Sequence, residues 1–218
     1  MNQFWKQLSL RLVCVCLLIP ILTWGQALQK NIDAAQLAKA NAGDPEAQTN
    51  VGISYEFDKG VTGDYTEALG WYQKAAAQGY AEAQYRIGEM YSHGRGVAQD
   101  YLQAAQWYEK AAAQNYAEAL LDLGLLYTNG RGLEKNTKKG FELFYRAAQL
   151  GESDAQYRIA MAYATGEDVP KDQKLAAEWY LKAADQGLAG AQFNYAMICI
   201  GAHNYEEGYF GYLLLPIR

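Results

Sequence analysis

Residues 81–114 decide the fold, and they read AEAQYRIGEMYSHGRGVAQDYLQAAQWYEKAAAQ. Small and apolar residues recur in this stretch at offsets of three and four, first as Ala83, Ile87, Gly88 and Tyr91 and then as Ala104, Trp107, Tyr108 and Ala111. Such spacing predicts two amphipathic helices. Gly94 and Gly96 lie between the two patterns and suit a tight turn, because glycine tolerates a positive φ. Asp100 precedes the second pattern, where its carboxylate would cap the free N–H groups of a helix.

The same unit recurs along the chain with a period of 36 residues. Residues that share a register include Tyr55, Tyr91, Tyr127 and Tyr163, the predicted helix caps Asp64, Asp100, Asn136 and Asp172, and the unit boundaries Gly43, Gly79, Asn115, Gly151 and Gly187. A fixed period of this length is typical of a solenoid, in which each repeat packs only on its neighbours. The sequence therefore predicts an all-α superhelical solenoid, an α/α array of two-helix repeats.

The repeats also predict the organisation of the chain. We expect a signal peptide in 1–27, an N-terminal capping helix in 28–42, full repeats in 43–78, 79–114, 115–150 and 151–186, and a partial fifth repeat with an irregular tail in 187–218. The helical pattern of the fifth repeat holds through Met197, and a second helix is missing. The tail either folds back as an apolar cap or results from a truncated or frame-shifted gene, and we favour truncation.

Glycines inside the first helices indicate close packing between helices. Gly52, Gly88 and Gly124 each occupy a position where glycine costs about 1 kcal/mol relative to alanine. Such a cost is tolerated where a neighbouring helix must approach closely. We expect large aromatic residues of the second helices to fill the space between repeats, namely Trp71, Tyr72, Trp107, Tyr108, Phe144, Trp179 and Tyr180.

The first 27 residues have the pattern of a signal peptide. Lys6 and Arg11 precede an apolar run from 12 to 24, and Gly25 and Ala27 supply the small residues that a cleavage site after Ala27 needs. The run is shorter than the roughly 20 residues that a membrane-spanning helix requires. The prediction is therefore an exported protein, periplasmic or secreted. The alternative is an uncleaved anchor, which would be the only membrane contact.

Composition excludes several kinds of site. The chain has a net charge of −5, which argues against nucleic-acid binding, because that binding depends on Lys and Arg that neutralise phosphates. It has only two His, far apart in sequence, and three Cys, of which Cys14 and Cys16 lie in the leader. Neither a multi-histidine metal centre nor a disulfide scaffold is expected. We predict no catalytic, metal or cofactor-binding residues.

The unit at 81–114 resembles a Sel1-like repeat, a relative of the tetratricopeptide repeat with a longer period. The resemblance covers four full units and the first helix of a fifth. It implies an α/α superhelix that acts as a non-catalytic adaptor for protein partners, and it implies envelope functions in bacteria. The runner-up function is binding of an envelope polymer such as peptidoglycan, or association with a hydrolase.

Helical phase identifies a candidate binding groove, if the first helix of each repeat lines the concave side as in tetratricopeptide arrays. The candidate residues form an acidic row of Glu46, Glu82, Glu118 and Asp154, a second row of Tyr85, Leu121 and Tyr157 with Thr49 and Phe193 in the same register, and a third row of Glu89, Leu125 and Met161 with Ile53 and Met197. We hypothesise that this groove takes an extended or helical protein segment with apolar anchors and Lys or Arg. The alternative is that the aromatic residues pack against the next repeat.

Enzymatic interpretations have weak support in the sequence. Cys199 and His203 could form a thiolate pair or two metal ligands, but no third ligand has suitable spacing. Paired acids such as Glu82 with Glu89, or Glu206 with Glu207, resemble a glycosidase pair only in composition. Glycan binding would need exposed aromatic rings in the groove, and Tyr85 and Tyr157 are the candidates.

Overall fold

The computed structural model describes residues 32–57 and 64–201, and this part of the chain contains ten α-helices and no strand. The helices are α1 (Ala34–Asn41), α2 (Pro45–Glu56), α3 (Tyr65–Ala77), α4 (Ala81–His93), α5 (Tyr101–Ala113), α6 (Ala117–Asn129), α7 (Thr137–Gln149), α8 (Ser153–Thr165), α9 (Gln173–Asp185) and α10 (Ala189–Gly201). Each helix packs chiefly on its neighbours in the chain, most extensively within the pairs α2–α3, α4–α5, α6–α7 and α8–α9. The predicted all-α solenoid is confirmed.

Predicted features at both ends of the chain fall partly outside this description. The leader at 1–27 and the tail beyond Gly201, with His203, Glu206 and Glu207, lie outside the described residues. Helix α1 lies within the predicted cap at 28–42. Helix α10 continues to Gly201, although the helical pattern was expected to end at Met197. No proline interrupts that segment, and Cys199 is buried within the added turn, so the helix continues.

Side-chain caps begin the second helices as the sequence predicts. Asp64, Asp100, Asn136 and Asp172 each accept a hydrogen bond from a backbone N–H in the first turn of α3, α5, α7 and α9. These bonds satisfy N–H groups that have no partner inside the helix. The turns between helices use a left-handed backbone, with φ of 69° at Gly94 and 64° at Asp168, where aspartate replaces the glycine of other repeats.

The glycines inside the first helices allow the second helices to approach closely. A Cβ atom added to Gly52 or Gly88 would lie 2.5 Å from the ring of Tyr72 or Tyr108, respectively. At Gly124 the distance to Phe144 would be 2.6 Å. Real Cβ atoms do not approach other heavy atoms this closely, so alanine would displace the aromatic ring. The close approach at these glycines is therefore present, but each ring belongs to the same repeat as its glycine and not to a neighbouring repeat as expected, because the two helices of one repeat pack most extensively on each other.

A glutamine pair joins the two helices in three of the repeats. The Nε2 group of a glutamine at the end of the second helix donates to the Oε1 atom of a buried glutamine on the first helix, 2.9 to 3.0 Å away, in the pairs Gln78–Gln48, Gln114–Gln84 and Gln186–Gln156. The third repeat has Leu120 and Leu150 at these positions. Both partners change together, and neither is left as a buried polar group without a hydrogen bond.

Candidate partner-binding face

The three predicted rows of side chains lie on the first helix of each repeat, which is α2, α4, α6, α8 or α10. We call the surface that these three rows form the first-helix face. Its acidic row lies in the first turns of α2, α4, α6 and α8. Glu46, Glu118 and Asp154 are exposed, whereas Glu82 is half-buried. Carboxylates at a helix N-terminus interact favourably with the helix dipole, so this row also stabilises the helices.

The second row is packed at its start and open at its end. Thr49 is buried, and its hydroxyl donates to the carbonyl of Pro45 at 2.8 Å. Tyr85 is half-buried between two rings, with centroid distances of 5.7 Å to Tyr108 and 5.2 Å to Tyr116. Tyr116 belongs to the next repeat, so Tyr85 joins two repeats.

Leu121 and Tyr157 follow Tyr85 in this row, and both are half-buried. The ring of Tyr157 lies 5.6 Å from that of Tyr180, and its hydroxyl accepts a hydrogen bond from Asn194 Nδ2 at 3.2 Å. Because Asn194 lies on α10, successive first helices are in direct contact at this point. Packing between repeats therefore occupies much of the surface of Tyr85 and Tyr157.

The C-terminal end of the face is apolar and open. Met161 is 42% exposed, Phe193 47%, Met197 50% and Ile200 40%. We call these four residues the apolar end. The half-buried Leu125 lies in the same row as Met161, one repeat earlier. Exposed apolar residues that cluster in register on neighbouring helices mark an interaction surface more often than scattered ones do.

The N-terminal end of the face carries charged groups. The guanidinium of Arg86 lies 3.2 Å from Glu89 and 3.5 Å from Glu82, so it bridges two of the predicted acids. Burial raises the pKa of Glu89, and the charge of Arg86 opposes that rise. Glu56, buried at the end of α2, accepts hydrogen bonds from Tyr72 at 2.7 Å and Arg95 at 3.1 Å.

Asp122 is a residue of the face that the sequence analysis missed, and Arg86 is another. Burial raises the pKa of Asp122 to about 6, the nearby Glu89 adds to the rise, and the hydroxyl of Tyr85, which faces the carboxylate, opposes it. Both residues lie one position after the second predicted row. One repeat position could have identified them, because its residue alternates between neutral, basic and acidic along the array. The residues at this position are Asn50, Arg86, Asp122, Arg158 and Asn194.

In the part of the chain that the structure describes, the acid pair named in the sequence does not flank an open cleft. Glu82 and Glu89 both contact the guanidinium of Arg86 and so face a cation rather than an open cleft. Within residues 32–57 and 64–201, no three His, Cys, Asp or Glu side chains are grouped to hold a metal ion. None of the described helices is both long and apolar enough to cross a membrane.

Comparisons with known proteins identify the repeat. The Sel1 repeat family matches residues 45–80, 81–116, 117–152 and 153–188. A search of curated proteins gives no match.

Two solved structures resemble most of the described chain. A Sel1 repeat protein from Oxalobacter formigenes has a TM-score of 0.74 and 32% identity, over 81% of this chain and 74% of that one. A protective antigen of uropathogenic Escherichia coli strains, with an SLR fold, has a TM-score of 0.72 and 33% identity over 83% of this chain. This chain covers 42% of the length of that antigen.

Proposed function

Because this chain belongs to the Sel1 repeat family, whose members are generally protein-interaction scaffolds, we propose that it is a non-catalytic adaptor that binds a protein segment on its first-helix face. The apolar end is the observation that carries this proposal. Met161, Phe193 and Met197 are solvent-exposed apolar residues on the first helices of neighbouring repeats. A helix or extended segment with regularly spaced apolar anchors would bury them together.

The charges of the face indicate what accompanies those anchors. Glu46, Glu118 and Asp154 are exposed along one margin of the face. In the four described repeats, this position of the first helix is always Glu or Asp and never Lys or Arg. A partner segment with Lys or Arg beside its apolar residues would complement that margin. Such complementarity accelerates association and selects partners more than it raises affinity. The acidic row therefore supports a basic, amphipathic partner.

A protein partner is better supported than an envelope polymer. Glycan binding uses exposed aromatic faces, and the two candidates named for it, Tyr85 and Tyr157, are packed against Tyr108, Tyr116 and Tyr180. The open side chains are instead Met161, Met197 and Ile200 with a single exposed ring, Phe193, among these four residues. Flexible methionines at an exposed site suit an adaptable peptide-binding surface.

The proposed setting is the bacterial envelope or the exterior, and it rests on the sequence of residues 1–27 alone. Cleavage after Ala27 would leave Leu28 as the N-terminal residue. N-terminal sequencing of the protein recovered from its native compartment tests this part of the proposal. A chain that still begins with Met1 would support the anchored alternative.

The binding proposal is tested by removing the apolar end and leaving the fold intact. A variant with Met161→Ser, Phe193→Ser and Met197→Ser would be compared with the wild-type protein as bait in extracts of the source envelope. Its matched control carries Leu102→Ser, Leu150→Ser and Leu181→Ser, which removes exposed apolar residues from the second helices and the turn after α7. Each bait would also be sedimented with purified peptidoglycan.

We expect the wild-type bait and the control to retain the same proteins, and the first variant to lose them by about tenfold, since apolar anchors dominate binding energy. We expect none of the three to sediment with peptidoglycan. Equal retention by all three baits would contradict the use of this face. Sedimentation of the wild-type protein with peptidoglycan would favour the polymer-binding alternative.

A further inference from the structure

A small cavity opens between the third and fourth repeats where a tyrosine of the register is replaced. In the two preceding interfaces the turn glycine of one repeat rests on a tyrosine of the repeat before it. A Cβ added to Gly96 would lie 2.8 Å from Tyr65 Cβ, and one added to Gly132 would lie 2.6 Å from Tyr101 Cβ. The corresponding pair consists of Thr137 at the start of α7 and Asp168 in the turn after α8, and the Thr137 hydroxyl donates to Asp168 Oδ1 at 2.7 Å. Thr137 and Asp168 both line the cavity.

The cavity has a volume of about 100 Å³ and is lined mainly by apolar groups. Phe144 forms part of its wall, and it lacks the hydroxyl that Tyr72, Tyr108 and Tyr180 carry in the same register. Phe141 contributes a second ring. An apolar cavity of about 150 Å³ can hold benzene, so this volume suits one aliphatic side chain.

The cavity is continuous with the first-helix face. Met161 lines it and is also a member of the apolar end, where it is exposed to solvent. Among the described residues that line the cavity, the charged ones are Glu167 and Asp168, and both are exposed acids. A side chain that enters past Met161 would therefore have a negatively charged rim beside it.

We propose that this cavity is the anchor pocket of the face, and that it takes one aliphatic side chain of leucine or methionine size from a bound segment. A Lys or Arg next to that anchor meets Glu167 and Asp168. This inference rests on the proposed function, and it adds the position and chemistry of the main anchor. At this interface Thr137 and Asp168 replace the Tyr–Gly pair of the two preceding interfaces, so the site fixes the register of the partner along the array.

Substitution in the register of the earlier repeats provides a direct test. Thr137→Tyr together with Asp168→Gly restores the Tyr–Gly pair of positions 65/96 and 101/132, a combination that the fold already accommodates. Because residue 137 lines the cavity, we expect the larger ring to fill it. Asp168→Gly alone is the matched control, because it removes the same acid and leaves the cavity open. Thermal unfolding of each variant shows whether the fold is kept; should the double variant unfold, Thr165→Leu fills the cavity from α8 instead.

The probe is a phage-displayed library of random peptides of about 12 residues, long enough to cross two repeats, selected on the full chain. Peptides recovered on the wild-type protein are then synthesised and titrated against each variant. We expect them to share an aliphatic residue beside Lys or Arg. We expect the Asp168→Gly control to bind several-fold more weakly than the wild type, because it lacks one rim acid. We expect the filled variant to bind at least about tenfold more weakly than that control, because it also lacks the open cavity.

Two outcomes would overturn the inference in different ways. Peptides that bind the filled variant as tightly as the control, but lose affinity for the variant with Phe193→Ser and Met197→Ser, would refute the pocket and leave the binding face in place. A selection that enriches no peptide on the wild-type protein would count against both the pocket and the proposed function.

Discussion

Asp122 is a carboxyl group on the first-helix face that burial keeps largely from water. Its carboxylate is largely removed from water, faces the hydroxyl of Tyr85, and lies near Glu89 and His93. Desolvation disfavours the ionised form, so the pKa in the folded protein is about 6, above the ordinary 3.8. The folded state therefore holds this proton more tightly than the unfolded state does.

A stability prediction follows from that difference. Between about pH 4 and pH 6 the folded state binds more protons than the unfolded state, so the contribution of Asp122 to stability falls as the pH rises through this window. Asp122→Asn removes the cost of a buried charge and keeps a group that can accept from Tyr85. We expect its free energy of unfolding at pH 7 to exceed the wild-type value by about 1–2 kcal/mol.

Urea unfolding of both proteins at several pH values between 4 and 7 measures this effect. The advantage of the Asp122→Asn variant should shrink toward pH 4, where the wild-type carboxyl is protonated in the folded state. Parallel stability curves for the two proteins would show that Asp122 does not titrate in this window.

For individual residues, the sequence predicted which side of a helix a side chain lies on better than it predicted how exposed that side chain is. The row that contains Tyr85, Leu121 and Tyr157 lies on one face, because helical phase alone determines direction. Phase does not reveal what a neighbouring repeat covers, and so Tyr85 and Tyr157 are half-buried whereas Met161 is open. The assignment of the ten predicted groove residues to partner binding stays a prediction.

Alanine should have opposite effects on stability at two glycines that lie inside helices. Gly88 and Gly70 both lie inside helices, yet a Cβ at Gly88 would lie 2.5 Å from the Tyr108 ring, whereas one at Gly70 would meet nothing within 4 Å. Gly88→Ala forces α5 away from α4, and overpacking of this kind costs about 1–3 kcal/mol. Gly70→Ala should instead stabilise the protein by about 0.5–1 kcal/mol, from helix propensity alone.

Thermal unfolding of the two variants checks this pair, and each serves as the control for the other. We expect a lower midpoint for Gly88→Ala and a higher one for Gly70→Ala. If Gly88→Ala proved as stable as the wild type, the close approach of α4 and α5 would not be required by the fold.

The bounds of the second helices could be read from the sequence because their caps are polar residues in a fixed register. Asp100 and Asp172, for example, begin α5 and α9 directly. The first helices α4 and α6 follow Tyr80 and Tyr116, which form no side-chain cap, so their start could be predicted only from the period. The exchange of the glutamine pair for Leu120 and Leu150 needed the structure, because the two positions are far apart in sequence.

The chemistry of the first-helix face changes from charged to apolar along the array. Charged groups around Arg86, Glu89 and Glu56 occupy the N-terminal end of the first-helix face, and apolar side chains such as Met161 and Met197 occupy the other end. The repeats are alike in fold and differ in the face that they present. In a solenoid the helix pairs pack alike, so differences between repeats appear mainly in the exposed side chains. Such differences allow the two ends of one surface to be distinguished.

The architecture of the array could be predicted from the sequence because a period of 36 residues repeats both core and cap residues. The candidate site could be predicted only in outline. Its open end depends on departures from the repeat, such as Thr137 where the first two repeats have Tyr65 and Tyr101. The period alone does not predict what such a departure leaves exposed.

Site-specific photo-crosslinking in the source cells shows whether a protein partner binds the first-helix face. A photoreactive residue would replace Met197 on the face, and in a matched control it would replace Leu181, which is exposed on the second helix α9. We predict a discrete crosslinked protein from position 197 that is absent from position 181. The same crosslinks from both positions, or none from position 197, would contradict binding of a protein partner on this face.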